Sequence, residues 1–231
     1  MKTLFKKPIV SFIQALWASF CLPLSAATIY DNSANDLLTR YNPGTFEVGD
    51  EITLAGTDRF LTNFSFEFWG ENSASSSAFA GTVEARVRFY QNDGPLFNGY
   101  ATPGTTFYDS GWFSVPAPTP RNTFIFSAGS DFPAEGLFLP VVSNMTWSIQ
   151  FQGMGLTDQA GVDLFSPPIT GDNTPDDWRN MGSGWVLETN SVPVDFAAKM
   201  EATVPEPSTF ALSLLGGLGL WVATRRLRRQ R

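Results

Sequence analysis

Apolar and polar residues alternate with a period of two along much of this chain. Phe60, Phe64, Phe66 and Phe68 share one parity, and Asn63, Ser65 and Glu67 share the other. Val83, Ala85, Val87 and Phe89 alternate with Thr82, Glu84, Arg86 and Arg88. Met145, Trp147, Ile149 and Phe151 alternate with Asn144, Thr146, Ser148, Gln150 and Gln152. Successive side chains of a strand point to opposite faces, so each segment predicts a strand with one buried and one wet face. Cross-strand ion pairs, for example Glu67 with Arg86 or Arg88, are expected on the wet faces. Further strands are expected over 51–54, 106–115, 123–127, 137–142, 161–165, 184–188 and 196–202. No segment between residues 28 and 203 sustains a helical period.

Turn residues fill the gaps: Asn42-Pro43-Gly44, Asn92-Asp93-Gly94-Pro95, the stretch from Pro116 to Pro120, and Ser166-Pro167-Pro168. Residues 172–184, DNTPDDWRNMGSG, are the longest polar stretch and are expected to be irregular. With 20 Gly, 16 Pro and 21 Phe, the pattern predicts an all-β body, an antiparallel β-sandwich of jelly-roll-like topology. Residues 28–203 are long enough to bury a sizeable core as one domain.

Both ends break the alternation. Residues 1–27 begin with Lys2, Lys6 and Lys7, continue through an apolar stretch from Ile9 to Leu24, and close on Ser25-Ala26-Ala27. That is the pattern of a secretory signal peptide, entering the membrane as a helix, with cleavage expected after Ala27 by signal peptidase. Phe20 before Cys21 argues against a lipoprotein signal. At the other end, Pro205-Glu206-Pro207 is stiff and extended, because each proline fixes its own φ and biases its predecessor. Thr209 to Ala223 is uncharged and apolar, roughly 22 Å long as a helix, which makes a short transmembrane helix. Arg225, Arg226, Arg228, Arg229 and Arg231 follow. Such a cluster stays on the cytoplasmic side, leaving the body outside.

Charge sharpens this division. The formal net charge is −7, from 22 acids and 15 bases. Eight of the bases lie in the two ends, and Glu206 is the one acid there. The body therefore has 21 acids against 7 bases, a net −14, which excludes a nucleic-acid-binding surface. The sequence contains no His, and Cys21 is its one Cys. Histidine-dependent triads, Cys-His pairs and His-ligated metal sites are thereby excluded.

Within the body, Asp172, Asp176 and Asp177 with Asn173 are the best cluster of oxygen ligands for Ca²⁺, although the ordered spacing of an EF-hand is absent. Glu67, Glu84 and Asp109 are acids that glycoside hydrolysis could use, but nothing pairs them across a cleft. Trp178 and Trp185, in and beside the polar stretch, are the best-placed exposed aromatics for stacking on sugar rings, whereas Trp147 shares the parity of its apolar neighbours and belongs to the core. Asn63-Phe64-Ser65 and Asn144-Met145-Thr146 fit the glycosylation pattern but sit in strands. No phosphate-binding loop or nucleotide fingerprint appears, and no cofactor is expected.

Pro205-Glu206-Pro207, the apolar run containing Gly216-Gly217-Leu218-Gly219-Leu220, and the arginines from Arg225 to Arg231 resemble the PEP-CTERM sorting signal of certain Gram-negative bacteria. The resemblance covers residues 204–231. It implies that a membrane protease, exosortase, recognises the tail and removes or processes it. The implied protein is exported, held transiently in the inner membrane, and handed to the cell surface or extracellular space, often among biofilm or exopolysaccharide material. The expected role is a non-enzymatic surface or matrix protein. The alternatives are a carbohydrate-binding module that retains exopolysaccharide and a secreted polysaccharide hydrolase.

Overall fold

The computed structural model describes residues 26–141, 143–190 and 192–204. Apart from Ala26, Ala27 and Val204, the signal segment and the sorting tail lie outside the described residues, including Pro205, Glu206, Pro207 and the five terminal arginines.

The described residues form strands and no helix. In chain order the strands are β1 (Ala27–Asn32), β2 (Asp36–Tyr41), β3 (Glu47–Thr53), β4 (Phe60–Asn72), β5 (Glu84–Tyr90), β6 (Leu96–Phe97), β7 (Tyr100–Ala101) and β8 (Thr106–Asp109). They continue with β9 (Phe113–Ser114), β10 (Thr119–Ser127), β11 (Leu137–Phe138), β12 (Asn144–Gln152), β13 (Asp158–Phe165), β14 (Asp172–Asn180), β15 (Trp185–Glu188) and β16 (Ala198–Thr203).

The long strands sort into two antiparallel seven-stranded sheets. The first runs β1-β16-β4-β13-β2, with β10 and β11 also on β4. The second runs β15-β14-β3-β12-β5-β8, with β9 also on β5. The chain passes repeatedly from one sheet to the other, as an antiparallel sandwich requires. Phe64, Phe66, Phe68 and Met200 of the first sheet and Val87, Phe89, Trp147 and Ile149 of the second share one buried core. Phe64 meets Phe89 and Trp147 edge-on across it, at 5.1 and 5.2 Å between ring centroids. Aromatic pairs prefer this geometry because ring edges are positive and faces negative.

Three departures from the alternation have identifiable causes. Along β4, Phe64, Phe66 and Phe68 face the core as expected, but Leu61 is buried in place of Phe60. The pairing with β16 slips by one residue there, from Asn63↔Glu201 to Leu61↔Ala202. Thr62 is the extra residue of this bulge, and a bulge reverses which face the following side chains occupy. Its hydroxyl donates to the Glu201 carbonyl at 3.1 Å.

On β12 the supposed wet face is dry, since Thr146 and Ser148 are both fully buried. The segment between β5 and β8, which carries the small β6–β7 hairpin, lies over this outer face. Asn92 from it accepts a hydrogen bond from Thr146 at 2.8 Å.

The third departure is β14. Residues 172–184 were expected to be irregular, yet Asp172–Asn180 is a strand paired on both sides, with β3 and β15. Its composition is poor for a strand. Partners on either side override that, and a register break between Asn173 and Asp177 takes up Pro175, which has no N–H to give a ladder.

Candidate functional site

Trp178 is not exposed. It stands on the outer face of β14, opposite Gly49, and its exposure is 0 %. A Cβ at Gly49 would come within 2.6 Å of Thr146 Cγ2, so β12 packs too closely there for any larger residue. The Trp178 Nε1–H donates to Glu51 at 3.3 Å, and Phe97 of the covering hairpin meets its ring edge-on at 6.5 Å. Trp185 is half-buried beside Tyr90, 5.4 Å between centroids. The two tryptophans form no shared stacking platform.

The three aspartates do not converge either. Asp172 is exposed, Asp176 half-buried, and Asp177 points inward, where it accepts from the Tyr41 hydroxyl at 2.9 Å and from Asn190 at 2.8 Å. Strand alternation separates neighbours such as Asp176 and Asp177 onto opposite faces. Among the described residues, no group of three acidic side chains is arranged to hold a metal ion.

Glu67 pairs with neither Arg86 nor Arg88. It belongs to the first sheet and they belong to the second, with the core between. Arg86 binds Asp109, whose carboxyl is pulled down to about 2 chiefly by that hydrogen bond. Arg88 reaches Glu47 at 2.5 Å. Glu47 is only 3 % exposed and also accepts from Tyr90, Ser148 and Asn180, at 2.7, 2.7 and 3.3 Å. That buried carboxylate is thus fully solvated by protein donors.

Glu67 instead takes part in a network on the outer face of the first sheet. Arg121 of β10 lies across the strands toward Glu67, Asp163 and Asp36, at 3.2, 3.5 and 2.7 Å. Arg40 of β2 approaches Asp163 at 3.7 Å. Arg40, Arg121 and Asp163, together with Leu38, line a shallow groove of about 440 Å³. Leu38 is 87 % exposed and sits at φ +54°, a left-handed conformation uncommon for leucine. The Asp36 side chain, accepting from the Leu38 N–H at 2.7 Å, holds that turn. The sequence offers little sign of this groove, because its residues come from three strands far apart in the chain.

The tail's point of departure is well defined. Thr203, the last residue of β16, pairs with Phe60 of β4, and Val204 is half exposed. The chain therefore leaves the body at the end of a fully laddered strand, immediately before the Pro-Glu-Pro triplet. Residues 203–229 match the PEP-CTERM protein-sorting motif. The PEP-CTERM segment thus begins on the last residue of β16, and its two described residues, Thr203 and Val204, lie outside the buried core. The match supports an exported chain directed to exosortase and held at the membrane before processing. No curated protein and no solved structure matches the chain.

Proposed function

We propose that this protein is a non-enzymatic surface or extracellular-matrix component, exported through a cleaved signal peptide and released to the surface by exosortase processing of its PEP-CTERM tail. The observation that carries this reading is the position of the motif, which starts where β16 ends. The core formed by the described residues is complete without the tail. The acidic body, net −14, favours solubility outside the cell by self-repulsion. With Trp178 buried, the polysaccharide-binding alternative loses one of its two aromatic contacts. A hydrolase would require a pair of carboxylates facing a cleft, whereas Glu67, Glu84 and Asp109 are each engaged in local bonds.

The test is the intact mass, with terminal peptides, of the protein recovered from the outer fraction of its native host. The expected species begins at Thr28 and lacks Arg225 to Arg231. Recovery of a species that retains the arginine cluster would overturn processing and make the tail a permanent anchor.

A further inference from the structure

The segment that enters β16 is held in an unusual way. Residues 194–196 join the first sheet through a single bridge, Leu164↔Phe196, rather than through a ladder. Their other bonds converge from several elements. The Phe196 N–H donates to Oδ2 of Asp50 at 3.0 Å, and the Phe196 carbonyl accepts from Asn32 at 3.2 Å. The Asp195 carbonyl accepts from the Phe165 N–H at 3.0 Å. Asp50 sits on the core face of β3 between Val48 and Ile52 and is 0 % exposed; Asp195 is 1 % exposed.

Around this junction, Oδ1 of Asp50, Oδ1 of Asp195, Oδ1 of Asn32 and the Tyr30 hydroxyl are buried and have no hydrogen-bond partner. Three of these four atoms can only accept while the carboxyls are ionised. Buried polar groups are nearly always paired; the unpartnered side-chain donors beside this cluster, the Tyr30 hydroxyl and Asn173 Nδ2, carry no charge and so neutralise neither carboxyl. The charges facing it are of the wrong sign. Asp177 lies opposite Asp50 across the strands, Glu51 is next to it in sequence, and Asp172 and Asp176 of β14 act on Asp195. The cations of the adjoining strands are engaged elsewhere, Arg179 with Glu188 and Lys199 with Glu201.

We propose that Asp50 and Asp195 form a protonation-controlled latch on the base of β16, the strand that leads into the sorting tail, closed while the two carboxyls hold protons and loosened when they ionise. A proton on each carboxyl converts an acceptor into a donor and removes two charges from the core. Phe196 then stays clamped between Asp50 and Asn32. The expected titration follows the same direction. Burial drives Asp50 well above the ordinary carboxylate range, reinforced by Asp195. Burial also raises Asp195, to about 6, opposed by the nearby polar side chains of Ser166 and Asn173. Because the neutral forms are favoured by folding, the latch stabilises most fully below the ordinary carboxylate value and loses that stabilisation as pH rises through about 6.

The experiment is urea unfolding of the full chain in mild detergent, from pH 4 to 7.5, for the wild type, Asp195→Asn, Asp50→Asn and the exposed control Glu71→Gln. Amide exchange of the peptide containing Phe196 is read in parallel. The wild-type unfolding constant should rise on the order of 100-fold across this range relative to Asp195→Asn, with exchange at Phe196 rising in step. Glu71→Gln should follow the wild type, and Asp50→Asn, which mimics the protonated side chain, should keep Phe196 protected at pH 7.5. Parallel profiles for wild type and Asp195→Asn would overturn the latch. So would stabilisation by added Ca²⁺ at pH 7.5 that chelator reverses, since a cation rather than a proton would then neutralise the pair.

Discussion

At the scale of single residues, the outer face of the second sheet depends on a glycine at position 49, where Thr146 of β12 comes close. Gly49 pairs with Trp178 of β14 on one edge of β3 and with Ser148 of β12 on the other. A methyl group at position 49 would press on Thr146 Cγ2 at 2.6 Å. Gly49→Ala is therefore expected to destabilise the protein by about 1–3 kcal/mol, the usual cost of overpacking, and denaturant midpoints would measure it. A neutral or stabilising result would show that Thr146 moves aside freely. The burial of Trp178 could not be read from its neighbours. Its local composition is that of a surface loop, whereas its contacts, Glu51 of β3 and Phe97 of the hairpin, lie far earlier in the chain. Asp50 is the opposite case. Its parity with Val48 and Ile52 marks an inward-facing acid, a signal present in the sequence once β3 is extended to Glu47.

At the scale of elements, alternation located most of the core strands. β5 and β12 follow it closely on their inner faces, and β4 does so up to its bulge. Strands lacking that pattern were missed. β1 is short, β2 is bent by the turn at Leu38, and β14 is rich in Asp, Asn and Pro. Each is specified by what pairs with it rather than by its own sequence. The outer faces also depend on partner strands. Glu47 of β3 is buried because Arg88, Tyr90, Ser148 and Asn180 from three other strands surround it. Removing one partner of a buried ion pair leaves an uncompensated charge. Arg88→Met should cost about 3 kcal/mol, and adding Glu47→Gln to it should recover part of that loss. A double-mutant cycle by chemical unfolding checks this; strictly additive losses would mean that Glu47 and Arg88 do not act as a pair.

At the scale of the whole molecule, 21 acids against 7 bases in the body repel one another. Arg88 and Arg121 each already engage two or more acids, yet with three times as many acids as bases local pairing leaves most of the excess unbalanced. Screening should relieve it: the Debye length shrinks from about 30 Å at 0.01 M salt to roughly 3 Å at 1 M. Stability at pH 7 is expected to rise by on the order of 1 kcal/mol between those limits, read from thermal or urea midpoints with NaCl and KCl compared. A decrease would mean that the local ion pairs outweigh the long-range repulsion. The sequence by itself determined the division into two charged ends and an acidic body, the all-β class, and the PEP-CTERM tail. These depend on local order along the chain, namely parity, charge runs and a contiguous motif. Tertiary structure alone decided which polar side chains are dry, which acids meet which arginines, and that Asp50 and Asp195 share one buried junction. Those outcomes depend on strands that are distant in sequence being brought edge to edge, and no local pattern encodes which strands they will be.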